Sequence, residues 1–369
     1  MSTNPRIYLD FNATAPLVPA ARQAMALALA EVGNPSSIHA EGRAARDRVE
    51  RARNQVAALL GRPREQVVFT SGGTEANALG VATLAAAAEL RGLPRVVATT
   101  PIEHPSLLGA VRALRGWEIR LLGVSSEGAI TAGGLDGVGL LALAAVNHEL
   151  GVIADPSVIA AARAAGALVH VDAVQAAGKL ALAALDADSL AISAHKLGGP
   201  QGVGAVALGI DAETHAPAGH QERGRRAGTE NTIGIAGFGA AAAALELAAW
   251  PAVRELGARL EAGLLAIEGV RIHGAGAPRI GGTINAGFAG ARGESIVIAL
   301  DLEGVATSTG AACTSGSVQP SAVLLGLGQP ADRAGEAVRF SLGSTTTIDE
   351  IDRVLAMLPA IALRARRHR

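Results

Sequence analysis

The sequence predicts an α/β protein, with a large domain on a mostly parallel sheet followed by a smaller α+β C-terminal domain. Three observations carry that expectation. Short apolar runs alternate with helical segments from about residue 66 to residue 208, the succession that covers a parallel sheet on both faces. Residues 140–146 are apolar throughout, as a strand buried on both sides requires. At 369 residues the chain is longer than one hydrophobic core usually serves, so two domains are expected.

In order, residues 7–10 read as a short strand, followed by a turn-prone stretch ending at Pro16. A helix over 19–31 stops at Gly33-Asn34-Pro35. Ser36 or Ser37 is placed to cap a long helix over about 40–60, closed by Gly61-Arg62-Pro63. Strands then fall at 66–70, 95–100, 118–123, 140–146 and 167–171, with helices at 74–91, 105–115 and 156–165 between them. A strand from Asp188 leads to the polar tip Ser193-Ala194-His195-Lys196, and a Gly/Pro turn returns the chain as a strand over 203–208. A buried helix from about Ile233 runs to a break near Trp250-Pro251. Beyond it come helices near 252–268, 293–302 and 348–364, with strands near 281–285 and 338–341. The domains are therefore drawn at 15–250 and 251–369, with residues 1–14 packing on the second. No internal repeat is seen.

Composition narrows the function. The chain is 49% apolar and 18% charged, which fits a well-buried globular protein. Aromatics make up 2% and the net charge is −1, so neither base stacking nor electrostatics argues for a nucleic-acid or anionic-membrane partner. The N-terminus shows no signal pattern, and the run from Ile233 to Trp250 is broken by Glu246; a cytoplasmic location is expected. A single cysteine excludes an internal disulfide and a multi-cysteine zinc site. The basic run from Arg364 to Arg369 reads as a frayed tail.

Three groups fall at strand carboxyl ends, where open parallel sheets bind ligands. Thr70-Ser71-Gly72-Gly73-Thr74 leads a strand through two glycines into a helix N-terminus, a phosphate cradle or an ordinary glycine turn with a Thr cap. It lacks the Gly-Lys-Ser/Thr of a P-loop, which disfavours a nucleotide-binding protein. Asp172 ends a buried strand and needs a cationic partner: a protonated pyridine nitrogen or an Arg, unless it caps a helix. Lys196 is one of only two lysines among 32 Lys and Arg residues. A position kept as lysine in so arginine-rich a chain points to an amine that must lose its proton, against the plainer reading of a solvated loop residue. Cradle, strand-end acid and strand-end lysine, in that order, are together what a pyridoxal-phosphate site needs.

These segments, taken with Tyr8-Leu9-Asp10-Phe11-Asn12-Ala13-Thr14, Gly33-Asn34-Pro35-Ser36-Ser37-Ile38-His39, Glu103-His104, Val171-Asp172-Ala173-Val174-Gln175, Arg226-Ala227-Gly228-Thr229, Ser308-Thr309-Gly310-Ala311-Ala312-Cys313-Thr314-Ser315 and Arg339-Phe340-Ser341-Leu342-Gly343, span nearly the whole chain. In them the sequence resembles the cysteine desulfurases of the NifS/IscS type, in the class V aminotransferase branch of fold-type I pyridoxal-phosphate enzymes.

The resemblance implies a homodimer that takes L-cysteine to L-alanine and leaves a persulfide on Cys313 for an iron–sulfur scaffold protein or another sulfur acceptor. Lys196 would hold pyridoxal 5'-phosphate covalently and move the substrate's Cα proton. Asp172 would pair with the ring nitrogen and His104 would stack on the ring. Gly73, Thr74, Ser193 and His195 match phosphate-binding positions, Gln175 the contact to the ring's phenolic oxygen, and Thr229 a phosphate ligand from the partner subunit. Arg339 would clamp the substrate carboxylate. A lone cysteine is ordinarily a small buried hydrophobe. Around Cys313, however, Ser, Thr, Gly and Ala from 306 to 317 describe a polar, mobile loop able to carry a nucleophile. The implied enzyme has no intrinsic metal, although Cys313 could transiently share a cluster with a scaffold.

One position departs from the family. Asn147-His148-Glu149-Leu150-Gly151 stands where its members usually show Asn-Asn-Glu, so His148 is expected to donate the hydrogen bond of the second Asn to the cofactor ring. A selenocysteine lyase on the same fold is the alternative, and a cofactor-bearing binding module without turnover is weighed against by intact Lys196, Asp172 and Cys313.

Overall fold

The computed structural model describes residues 5–210, 219–310, 313–314 and 317–367. Its larger sheet has seven strands in the spatial order Val67–Thr70, Gly204–Leu208, Ser189–Ser193, Leu168–Asp172, Leu140–Ala144, Val96–Thr99, Glu118–Leu121. All run parallel except Gly204–Leu208, which is antiparallel to both its neighbours. The central strands are apolar on both faces because helices cover both. Val49, Val56, Leu60 and Phe238 pack on one side, and Leu84, Leu107 and Val111 on the other. This is the doubly covered, mostly parallel α/β architecture expected, and its strands present their carboxyl ends on one edge.

A second, three-stranded antiparallel sheet orders Ala337–Ser341, Thr283–Phe288 and Val270–His273. Helices Trp250–Leu265, Gly293–Leu302 and Ile348–Arg367 accompany it, and Leu260, Phe288, Leu300, Phe340 and Leu358 form a separate core. Trp250 packs against both cores, and its Nε1 donates to the Ile280 carbonyl at 2.8 Å. The N-terminal segment ties the two sheets together. Ile7–Tyr8 pairs with Val305–Ala306 and Asp10 bridges to Ser341. The chain then crosses to the lysine tip, where Ala15 N donates to His195 O and Val18 N to Gly198 O.

Four details differ from the sequence reading. The helix expected over 233–250 ends at Ala243, and Trp250–Leu265 begins as a new helix with Pro251 in its first turn, where proline's missing N–H costs nothing. Neither Ser36 nor Ser37 caps the helix Ala40–Leu60; His39 does, its Nδ1 accepting from Gly42 N at 3.3 Å. The basic tail is helical through Arg367, where Arg366 donates to the Ala289 and Glu268 carbonyls that end nearby elements. The strand Val270–His273 was not expected, since a four-residue run carries too little periodicity to read. No single helix among the described residues is long and apolar enough to cross a membrane.

A buried ion pair braces the site from behind. Arg53 donates to both Glu222 oxygens, at 2.6 and 2.8 Å, and Phe69 N donates to the same carboxylate at 2.9 Å. Glu222 and Arg223 sit at φ 48° and 57°, strained for residues with side chains, so this pair holds the loop that leads to Thr229. Arg53→Met leaves a buried carboxylate without its cation and should lower the unfolding free energy in urea by about 3–5 kcal/mol. Adding Glu222→Gln should recover a large part of that loss.

Candidate active site

The cradle is built as its residues suggest. The strand Val67–Thr70 enters the helix Gly73–Leu90, whose first N–H groups are free for an anion. Two glycines permit the approach. A Cβ on Gly73 would lie 2.9 Å from Val174 Cγ2, and one on Gly204 would lie 2.6 Å from the Gly72 carbonyl carbon. Thr74 is exposed in the first turn, and Ser193 lies buried at the facing strand end. His195 is held by Thr14, whose Oγ1 is 3.0 Å from its Nδ1, and burial lowers its pKa to about 4, so the ring is neutral. Thr229 lines a cavity of about 110 Å³ with Thr70, Ser71 and Gly202, and Arg226 in the same loop donates to Glu75 at 2.9 Å.

Asp172 is 6% exposed at the end of Leu168–Asp172. It accepts from Asn77 Nδ2 at 2.7 Å and from Val174 N at 2.9 Å, both neutral donors. Burial raises its pKa, opposed by those bonds and by the more distant charges of His104 and Lys196. It therefore neither pairs with an arginine nor caps a helix; it is a buried acid with capacity for a cation. Asn77 is locked in turn, its Oδ1 3.1 Å from His170 Nε2 and its Nδ2 donating to Ser106 Oγ at 3.0 Å.

His104 is the N-cap of Pro105–Arg112: Nδ1 accepts from Ser106 N at 3.1 Å, which assigns the proton of the neutral ring to Nε2. Desolvation lowers its pKa, with Asp172 opposing and Lys196 and Arg339 assisting. The His148 ring meets it edge to face at 5.0 Å and 80°, and burial holds His148 well below the usual imidazole range. His148 thus stands beside the residue expected to stack on the cofactor, as a neutral ring that keeps one N–H to give.

Lys196 ends the turn Ala194–Lys196, and its Nζ donates to Asn12 O at 2.6 Å and Ala13 O at 2.8 Å. Burial and the Arg339 charge lower its pKa to about 8, with Asp10 and Asp172 opposing. Arg339, on Ala337–Ser341, donates to Asp10 Oδ1 at 3.0 Å and to His148 O at 3.2 Å, while its buried Nε has no partner among the described residues. Gln175 is buried and donates through Nε2 to Asn12 O at 3.1 Å. Cys313 lies in the short hairpin pairing Cys313–Thr314 with Ser317–Val318; its side chain falls outside the described residues.

Asn12, Asn77, Ser106 and Lys179 were not singled out from the sequence as site residues. Asparagines and serines are too common for a single sequence to mark them, but the rarity of lysine marked Lys179 as clearly as Lys196.

A strand-end lysine, a strand-end acid and a glycine cradle thus fall on one edge of a mostly parallel sheet. The aminotransferase class-V family model matches residues 7–354, and the chain belongs to that family. Within it, the chain is similar to the cysteine desulfurase of Enterobacter agglomerans, at 41% identity over 98% of this chain and 93% of that one. A solved NifS-like protein matches with TM-score 0.87 and 31% identity, over 97% of this chain and 100% of the other. SspA, solved in complex with cysteine, matches with TM-score 0.78 and 25% identity over 92% of this chain and 100% of the other.

The family uses pyridoxal 5'-phosphate, and the residues present fit it. Asp172 is a buried acid with no paired cation among the described residues, the helix Gly73–Leu90 begins at a strand end with its N-terminus available to a phosphate, and Lys196 offers an amine with a lowered pKa. Labelling of the unliganded protein with an acylating reagent, read by peptide mapping, should show Lys196 half-reactive near pH 8. Reactivity that rises only near pH 10, as for a free lysine, would contradict this environment.

Proposed function

We propose that this chain is a cysteine desulfurase that releases L-alanine and keeps the sulfur of L-cysteine as a persulfide on Cys313. The observation that carries the reading is the Lys196 amine, at a strand end beside buried Asp172 and within the field of Arg339. Pyridoxal 5'-phosphate, when bound, withdraws electrons from the substrate's Cα. Lys196 would hold it, with Asp172 at the ring nitrogen. His104 would lie over the ring, Gln175 and His148 would serve its ring oxygen, and Gly73, Thr74, Ser193 and His195 its phosphate.

Arg339 would bind the substrate carboxylate; its hydrogen bonds to Asp10 and the His148 carbonyl set the guanidinium plane. A lowered pKa lets the Lys196 amine accept the Cα proton near neutral pH. The Cys313 thiolate attacks the substrate's sulfur: a sulfur–sulfur bond forms, the carbon–sulfur bond breaks, and the carbon takes up a proton to leave as alanine. An iron–sulfur scaffold protein or another acceptor then receives the sulfur.

The reading includes a cytoplasmic homodimer in which Thr229 serves the partner's phosphate site. Its support is a run of large apolar residues left exposed between Leu27 and Ile38, with Val32 83% and Ile38 88% accessible. It also divides the chain into a cofactor domain, 15–250, and a smaller domain, 251–369, on which residues 1–14 pack; the two main buried cores support that division, with a smaller cluster of Ile102, Leu150, Val323 and Leu324 at their junction.

With L-cysteine, the cofactor-loaded protein should yield alanine and, with a reductant, sulfide; no alanine would overturn the reading. Cys313→Ser should keep the visible absorption of the loaded protein and lose sulfur transfer, whereas Lys196→Ala should lose that absorption band. His148→Ala should weaken cofactor retention about tenfold, the value of one hydrogen bond to a charged oxygen. Unchanged retention and spectrum would remove His148 from the cofactor's contacts.

A further inference from the structure

Both lysines of this chain meet at one point. Lys179 follows the strand Leu168–Asp172 after two successive turns, with Gly178 before it at φ 76°, and its side chain folds back onto Gln175. Its Nζ donates to Gln175 Oε1 at 2.9 Å and to Asn12 Oδ1 at 3.3 Å, and lies 5.5 Å from the Trp250 ring centroid. Gln175 Nε2 donates to the Asn12 carbonyl at 3.1 Å, the same oxygen that takes Lys196 Nζ at 2.6 Å. Lys179, Gln175, Asn12 and Lys196 thus form one continuous hydrogen-bonded chain.

This geometry decides the orientation of an amide. With Oε1 held by an ammonium, the flipped Gln175 would aim donor at donor. Nε2 must therefore face the Asn12 carbonyl, and its second N–H is left for another acceptor. The electrostatics are equally unusual. A buried lysine is ordinarily paired with an acid, yet the charged groups acting on Lys179 are Lys196, from the turn after Ser189–Ser193, and Arg339, from Ala337–Ser341. The helix Trp250–Leu265 offers it an aromatic face and the N-terminal segment a neutral amide; Asp10 of that segment is engaged by Arg339. Burial, then these two cations, lower the Lys179 ammonium to about 7. Such an arrangement costs stability, which is how residues retained for a site's chemistry behave.

We propose that Lys179 is a positioning residue for this site: it fixes the Gln175 amide as a donor toward the cofactor's ring oxygen. The inference rests on the pyridoxal-phosphate reading. A side chain without a donor at 179 would leave the amide free to flip. Arginine or glutamine would keep a donor.

The test uses the unliganded full chain and pyridoxal phosphate without substrate, reading affinity by equilibrium dialysis and covalent capture by the visible absorption of the loaded protein. Lys179→Met should weaken affinity about tenfold through the loss of an ordered hydrogen bond. Lys179→Gln and Lys179→Arg, which keep a donor, should each lose less affinity than Met, and they serve if the Met variant folds poorly. Because Lys179 acts on affinity through Gln175, Lys179→Met with Gln175→Ala should bind no more weakly than Gln175→Ala alone. Equal losses in the Met, Gln and Arg variants, or additive losses in the double variant, would overturn the proposal. If the wild type itself fails to capture pyridoxal phosphate, the cofactor reading falls instead.

Discussion

The lysine side of the site is tied to both sheets through one asparagine. Asn12 is buried, and each of its polar groups reaches a different part of the chain. Its N–H donates to Ser341 Oγ, its Nδ2 to Thr283 Oγ1 and the His148 carbonyl, its Oδ1 accepts from Lys179, and its carbonyl accepts from Gln175 and Lys196. The small sheet, the His148 turn and the lysine tip are thereby held in register by a residue belonging to neither sheet. A buried amide satisfied this completely resists any movement that would strand one of its groups without a partner.

That constraint is what lets two like charges coexist. Lys179, Lys196 and Arg339 converge with Asp10 and Asp172 as the acids acting on Lys196, and neither acid pairs with a lysine. Burial first, and then the neighbouring cations, lower the amines toward neutrality. These amines and Arg339, whose Nε has no partner among the described residues, make the site one that an anionic ligand would neutralise. The neutral imidazoles of His104, His148 and His195 add donors without adding charge.

Most of the large sheet was readable because apolar runs bounded by Gly and Pro carry both length and period, as in residues 140–146 and 203–208. The long apolar stretch before Trp250 was misread as one helix, because hydrophobicity alone does not mark a bend and Pro251 also suits a helix start. Capping by His39 was missed for a related reason: Ser36 and Ser37 are the better caps in isolation, and only the path of the chain decides which side chain reaches Gly42 N.

By itself the sequence determined the local chemistry: a lysine kept in an arginine-rich chain, an acid closing a buried strand, and two glycines before a helix. Each is a property of a few adjacent residues, and strand ends of a parallel sheet fall on one edge whatever the loops do. Only the tertiary structure decided which common polar residues complete the site. Asn12, Thr283 and Ser341 are up to 329 positions apart. They meet because two separately packed cores and a crossing N-terminal segment bring them together, and no local pattern encodes a hydrogen bond made by that packing.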